Sequence, residues 1–466
     1  MPLDEDGAIK EQTKWGKISI ILTLAIPAML ENILQTIVGF VDTLFVAKIG
    51  LEEVTAVGVA NTVIAVYIAV FMAVGVGASS LIARSIGAGD IEQAKSIAKQ
   101  STLLTSLIGL FFGVVSIFLA EPFLLIMGAD EKVLVDGLLY FRIVAVPSIF
   151  ISLMFIFGSI LRASGDTKTP LKVSWWINII HLGLDYVLIF GVGDWEGLGV
   201  AGAAWATVLV RIMGSWMLYH YIKKSIVSFS LRKGTLNMIK SVMLSVIKLS
   251  IPAAIERLIM RIGQVLYFGL IVHIGTETFA AHTIAGNIET FSYMPGYGLA
   301  IAATTLVGQS IGAGKLKDAY QYGILTTVIG IFFMSMIGVI LFVFSPYFAT
   351  WFTSDKNAID MVVTALRIDA FAQPALAVGL ILAGALQGVG DTKSPMYSTA
   401  FGMWVIRVLG VYLFGIVLGY GIAGIWISIA LDLLIRAIYL YVRWITYFKI
   451  STDKHYTKIR DNYFQN

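Results

Sequence analysis

Two carboxylates stand in stretches where a charge is expensive. Asp42 lies in KISIILTLAIPAMLENILQTIVGFVDTLFVAKIG, residues 17–50, and Asp185 lies in NIIHLGLDYVLIFGVG. Each is eight residues short of a glycine, Gly50 or Gly193, that closes its apolar run. At ~1.5 Å of rise per residue, the two sit at similar depth, about a third of the way into an apolar layer. Ionisable groups at such depth mark ion or substrate paths. Two acids held together there would share a proton or hold a cation rather than both ionise. The plainer alternative is that each accepts a hydrogen bond from a neighbouring helix. In the first stretch Glu31, Gln35 and Asp42 follow at spacings of four and seven, which is one helical face. Pro27, at the base of that face, removes a backbone donor and weakens the helix.

Helices in a bilayer must position these residues. Hydrophobic residues make up 58% of the 466 positions and charged residues 13%, with a mean hydropathy of +0.85. That charge is about half of what a soluble domain carries. Twelve apolar stretches start near residues 17, 54, 96, 134, 168, 197, 242, 277, 318, 358, 395 and 421. Each is long enough for the roughly 20 residues that a span needs. The expectation is an all-α membrane protein without a sizeable soluble domain. The first apolar run exceeds signal-peptide length and lacks a cleavage site, so it reads as a retained span. There is no cysteine, hence no disulfide and no thiolate chemistry. Segments rich in Lys and Arg alternate with nearly uncharged ones, which places both termini in the cytoplasm of a multi-pass inner (plasma) membrane protein.

The chain repeats itself at an offset of 225 residues. LAIPAMLENI at Leu24 matches LSIPAAIERL at Leu249, SIGAG at Ser85 matches SIGAG at Ser310, and GDTKTP at Gly165 matches GDTKSP at Gly390. Near the end GLGVAGAAW at Gly197 pairs with GYGIAGIW at Gly419, the offset having slipped by three. Each repeat holds six of the twelve stretches, so both enter the membrane in the same sense. This predicts two parallel six-helix lobes related by a pseudo-two-fold axis along the membrane normal, with a central cavity between them. The division is an N-terminal cytoplasmic segment 1–16, an N-lobe 17–223, a basic linker 224–241, a C-lobe 242–447 and a cytoplasmic tail 448–466.

The doubled IPA…E start, the VDTLFVAKIG end of the first span, the paired GAG and GDTK strings and the run Ala280 to Gly314 are together specific. In these the chain, over about residues 15–447, resembles the multidrug and toxic compound extrusion (MATE) family, and its DinF-like and archaeal branches more than its NorM-like branch. The resemblance implies a two-lobed exporter driven by protons or sodium. In those branches the acid pair, here Asp42 and Asp185, forms the ion site of the first lobe. An Asn four residues before the second acid usually joins it. Here that place holds His181, with Asn178 one turn earlier and Thr207 as a further candidate. The NorM-like branch keeps an acid where this chain has Leu376.

At the 225 offset Asp42 becomes Tyr267 and Asp185 becomes Gly410, so the halves are not chemically equivalent. The second half carries Glu256, Arg257, Arg261, Asp369 and Arg407, which read as a charge network holding that lobe together. Glu31 and Glu256 are equivalent positions, with Arg142 and Arg367 as expected partners. A cavity for cationic or amphipathic small molecules would be lined by Gln35, Phe40, Trp175, Trp176, Met260, Tyr293 and Met294, since aromatic faces attract cations. The SIGAG and GDTK strings lack phosphate-loop spacing and read as helix ends and caps.

The expected function is secondary efflux by alternating access. Proton or cation binding at Asp42 and Asp185 would be coupled to bending of the first span near Pro27. A flippase or exporter of a lipid-linked or specific metabolite substrate is the alternative. No HExxH, Gly-x-Ser-x-Gly or metal-ligand cluster appears, so neither an enzyme nor a metal site is expected. No cofactor beyond H+ or Na+ as coupling ion and no nucleic acid is called for, and a monomer in the lipid bilayer suffices.

Overall fold

In the computed structural model, residues 13–230 and 238–463 are described, with side chains through residue 450. Most of the expected segment 1–16, the middle of the linker 224–241 and most of the tail 448–466 therefore lie outside the described residues or their side chains. Regular structure is helical. Helices α1 (Lys14–Ala47), α2 (Leu51–Gly87) and α3 (Ile91–Ile126) follow one another through short turns. Next come α4 (Glu131–Ala145), α5 (Ser148–Ala163), α6 (Lys168–Phe190) and α7 (Val200–Ile222). The second half runs α8 (Lys240–Ile274), α9 (Thr276–Ser292), α10 (Met294–Gly312), α11 (Leu316–Thr350) and α12 (Lys356–Gly388). It ends with α13 (Lys393–Phe401) and α14 (Gly421–Tyr463). Beyond Phe401, α13 continues through two π-helical segments, Gly402–Val408 and Val411–Val417.

Among the described residues nine helices are long and apolar enough to cross a membrane, or ten if the bent pair α4–α5 is one span. The sequence pattern led us to expect twelve. Helix α8, with Glu256, Arg257 and Arg261, and the pair α9–α10 account for the difference. Two of the expected spans are broken. The one starting near residue 134 turns by 51° between α4 and α5, where Pro147 has no N–H to continue the helix. The one starting near residue 277 stops at Tyr293, and Pro295 occupies the first turn of α10. Pro27, by contrast, sits inside an unbroken α1.

The repeat reappears as packing. Helix α1 packs on α6 and α10, as α8 packs on the equivalent α13 and α2. Ser174 Oγ lies 3.4 Å from Glu31 Oε1, and 225 residues on Thr399 Oγ1 lies 3.2 Å from Glu256 Oε1. The GDTK strings are caps: Asp166 accepts from the Thr169 N–H (2.9 Å) and Asp391 from the Ser394 N–H (3.0 Å). The SIGAG strings end their helices with Gly89 and Gly314 at φ of 76° and 71°, a conformation that glycine adopts without strain.

The two kinds of string also meet crosswise. Ser80 on α2 donates to the Gly388 carbonyl at the end of α12 (3.5 Å). Its equivalent on α10, Thr305, donates to the Arg162 carbonyl at the end of α5 (3.1 Å), and Gln309 reaches the Ala163 carbonyl (3.5 Å). Carbonyls at the helix ends of one half thus accept from side chains of the other.

Candidate functional site

Helices α1, α6 and α7 bring the first-half acids and their neighbours together. Asp42 is half-buried on α1, and Asp185 is fully buried on α6. His181 is one turn before Asp185, so both share a face of α6. The Nε2 of His181 lies 3.4 Å from Asp185 Oδ2 and 3.4 Å from Thr207 Oγ1 on α7. Asp42, His181 and Asp185 each present an oxygen or nitrogen within 4.8 Å of the other two. The equal depth expected of the two acids is therefore a real neighbourhood.

These groups are under-satisfied. A separation of 3.4 Å suits an ion pair but is long for a hydrogen bond. Both Asp185 oxygens and Asp42 Oδ1 are buried without a hydrogen-bond partner among the described residues. Orphan acceptors are costly in a dry interior, and a proton or a cation relieves them. Asn178 is nearby on α6, its Nδ2 buried and likewise unpartnered, and it bonds to neither acid.

Three residues of the site were missed in the sequence. Tyr140 on α4 is buried, and its hydroxyl lies 3.5 Å from Asn61 Oδ1 on α2. Arg211 on α7 is the cationic neighbour common to Asp42, Tyr140 and His181. Tyr140 and Asn61 carry no pattern that singles them out. Arg211 does: it is a lone cation inside the apolar run GAAWATVLVRIMG, four residues after Thr207.

The second half holds a different arrangement. Arg407 Nε donates to Asp432 Oδ2 at 2.8 Å, and Arg436 grips the same carboxylate through Nε (2.5 Å) and Nη2 (2.9 Å). The Arg407 guanidinium also lies 5.8 Å from the ring centre of Tyr267, the counterpart of Asp42. Asp369 Oδ2 accepts from Gln373 Nε2 at 2.6 Å, and Glu289 is the acidic neighbour of both Asp369 and Arg407. The expected network is thus corrected in its members. Arg257 points to Met72 Sδ (3.8 Å) and Arg261 to Gln264 (3.2 Å), and neither forms an ion pair among the described residues. Asp432, Arg436 and Glu289 take their place. Glu256 bonds to Thr399 rather than pairing with Arg367, which lies over the Phe342 ring (5.3 Å).

The expected partner of Glu31 also changes. Arg162 holds both Glu31 oxygens (3.1 and 3.2 Å), because it sits in the last turn of α5 and reaches α1, whereas Arg142 is exposed on α4. Of the expected cavity residues, Gln35, Phe40, Trp175 and Trp176 are exposed, Met260 and Tyr293 half-buried and Met294 buried. Met294 is touched by Thr36 of α1 (Oγ1–Sδ 3.7 Å), and Met260 by Arg436 (3.5 Å).

The pattern that defines the MatE family matches residues 27–187 and again residues 252–413. The chain belongs to the MatE family. The two matches start 225 residues apart (252 − 27), the offset of the repeat. This MatE chain is 30% identical to the probable multidrug resistance protein NorM of Thermotoga maritima, with 90% of each chain covered. It is 28% identical to the uncharacterized transporter YisQ of Bacillus subtilis, over 91% of this chain and 93% of that one. Its fold is similar to that of a solved structure described as the outward-facing conformation of a multidrug resistance MATE family transporter of the MOP superfamily. The TM-score is 0.88 at 24% identity, and 94% and 97% of the two chains are covered.

Proposed function

We propose that this MatE protein is a secondary active multidrug efflux antiporter, not an enzyme, that expels cationic or amphipathic small molecules by alternating access. The single observation that carries the coupling is the cluster of Asp42, His181 and Asp185, with its buried unpartnered acceptors between α1 and α6. A proton or sodium ion taken up there stabilises one position of α1, and substrate stabilises the other, with Pro27 as the point about which α1 bends. Each ligand must bind the two states unequally for the exchange to be coupled. Thr207 and Asn178 support the site, and the Asp432-centred network keeps the second half rigid.

The proposed architecture is twelve spans in two six-helix lobes, 17–223 and 242–447, with α4–α5 and α9–α10 each counted as one broken span. The doubled family match and the crosswise packing support it. The working unit is a monomer in the plasma membrane, with both termini cytoplasmic. The acid pair and Leu376 favour the DinF-like and archaeal branches, although a 30% identical relative bears the name NorM. The test is efflux of a cationic dye from proteoliposomes with pH and sodium gradients imposed separately. Efflux driven by one gradient supports the antiporter; efflux indifferent to both contradicts it.

A further inference from the structure

We propose that Arg211 is the resident cation of the Asp42–Asp185 site. It closes on Asp42 in the conformation opposite to this one and keeps sodium out, which leaves the proton as the driving ion. This inference rests on the coupling role proposed above for the acid pair.

Arg211 follows Thr207 by one turn, on the face of α7 whose Thr207 Oγ1 lies 3.4 Å from His181 Nε2. Arg211 Nη1 is a buried donor without a partner among the described residues, and Asp42 Oδ1 is a buried acceptor without one. They sit on different helices, α7 and α1, and Arg211 is the cationic neighbour of Asp42. Neither side chain is fully buried, and a state that brings the two orphan atoms together would give each the partner it lacks here. The second half shows a closed version, where Arg407 and Arg436 both engage Asp432 within 2.9 Å. Helix α1 contains the internal Pro27 and carries Asp42, so displacement of its outer part moves one member of the open pair and not the other.

The chemistry of the wall then separates the two candidate ions. A guanidinium offers five N–H donors and no acceptor. A hard metal cation needs several oxygen ligands at once, and it would find donors where a ligand is required. A fixed positive charge beside the site also disfavours an added cation. That penalty falls on the proton too, but the proton needs only one carboxylate lone pair. The groups facing the site are Asp42 from α1, Tyr140 from α4, His181 and Asp185 from α6 and Arg211 from α7, with uncharged Asn61 from α2.

The experiment compares wild type, Arg211→Gln, Arg211→Lys and Asp42→Asn in proteoliposomes loaded with a cationic dye, under a pH gradient without sodium and under a sodium gradient at equal pH. Sodium binding to the detergent-solubilised wild type is measured by calorimetry. Wild type should run on the pH gradient, ignore sodium and show no sodium heat. Arg211→Gln should lose pH-driven efflux by on the order of tenfold or more, and Arg211→Lys, which keeps the charge but not the fork, should fall between. Sodium-driven efflux or a sodium heat in wild type overturns the proposal, as does a wild-type rate in Arg211→Gln. Should Arg211→Gln fail to fold, the wild-type sodium measurements and Arg211→Lys decide. Efflux retained by Asp42→Asn means that the coupling role of the acid pair is what fails. Loss in Asp42→Asn together with sodium-driven wild type means that only the Arg211 inference fails.

Discussion

The carbonyl of Gln309 occupies the place that a Cβ on Gly87 would need. The relationship is reciprocal, for the carbonyl of Arg84 occupies the place of a Cβ on Gly312. The positions are equivalent in the repeat, so α2 and α10 cross backbone to backbone where the two SIGAG strings close these helices. The Ser80, Thr305 and Gln309 bonds to the helix ends of the opposite half lie beside this crossing.

Gly87→Ala and Gly312→Ala should each push the two helices apart, at a cost of about 1–3 kcal/mol to the closed junction. The chain has no native cysteine, so one cysteine placed at buried Ser310 is a clean reporter. Either alanine variant should speed its reaction with an impermeant maleimide from the cytoplasmic side. An unchanged labelling rate would show that the crossing does not close this end.

Glu31 tests a buried pair in the first-half scaffold. With Arg162 held at 3.1 Å and both side chains largely buried, Glu31→Ala leaves an uncompensated guanidinium and should destabilise by about 3–5 kcal/mol. Thermal unfolding in detergent checks this, and adding Arg162→Met should restore part of the loss. Equal instability of single and double variants would mean that the pair is not the cause.

Pro27 is expected to matter to the cycle more than to the fold. It lies inside an α1 that runs unbroken from Lys14 to Ala47, so Pro27→Ala restores a helix hydrogen bond and should leave thermal stability unchanged or raised. Dye efflux should fall severalfold, because a stiffer α1 exchanges positions less readily. Wild-type turnover in that variant would remove the bend from the mechanism.

A pH-dependent contribution is expected outside the spans, at the turn between α12 and α13. Burial pushes the Asp391 carboxyl up, but Ser394 through its hydroxyl and N–H and the Arg443 guanidinium (2.9 Å) outweigh it and hold the group below the usual carboxylate range. A lowered folded-state value means that the stabilisation is present above the unfolded pKa of about 3.9 and is lost as pH falls through the folded value. Asp391→Asn should therefore unfold at a lower temperature than wild type at pH 7, the difference narrowing below about pH 4. A difference that persists unchanged in acid would rule out the ionised carboxylate as its source.

What was legible in the sequence follows from what chemistry is local. Asp42 and Asp185 stood out because a charge inside an apolar run is rare and their distances to Gly50 and Gly193 match. Asp432 and Arg436 stand four residues apart, a spacing that any helix offers. Their importance depends on Arg407, 25 residues before Asp432, which the packing of α13 on α14 brings alongside. The π-helical segments of α13 could not be anticipated, and Arg407 sits in the first of them. Pro27, Pro252 and Pro374 lie inside continuous helices, while Pro147 and Pro295 accompany breaks. A missing N–H is tolerated or not according to the neighbours that take up the freed carbonyl, and that is a tertiary matter.

The central claim is that the Asp42–Asp185 pair couples the ion to the substrate. It is tested most directly by dye efflux from proteoliposomes bearing Asp42→Asn or Asp185→Asn, with insertion and dye binding verified in the same preparations. Both variants should bind dye and yet show no gradient-driven efflux. Efflux at the wild-type rate in either one would contradict the claim.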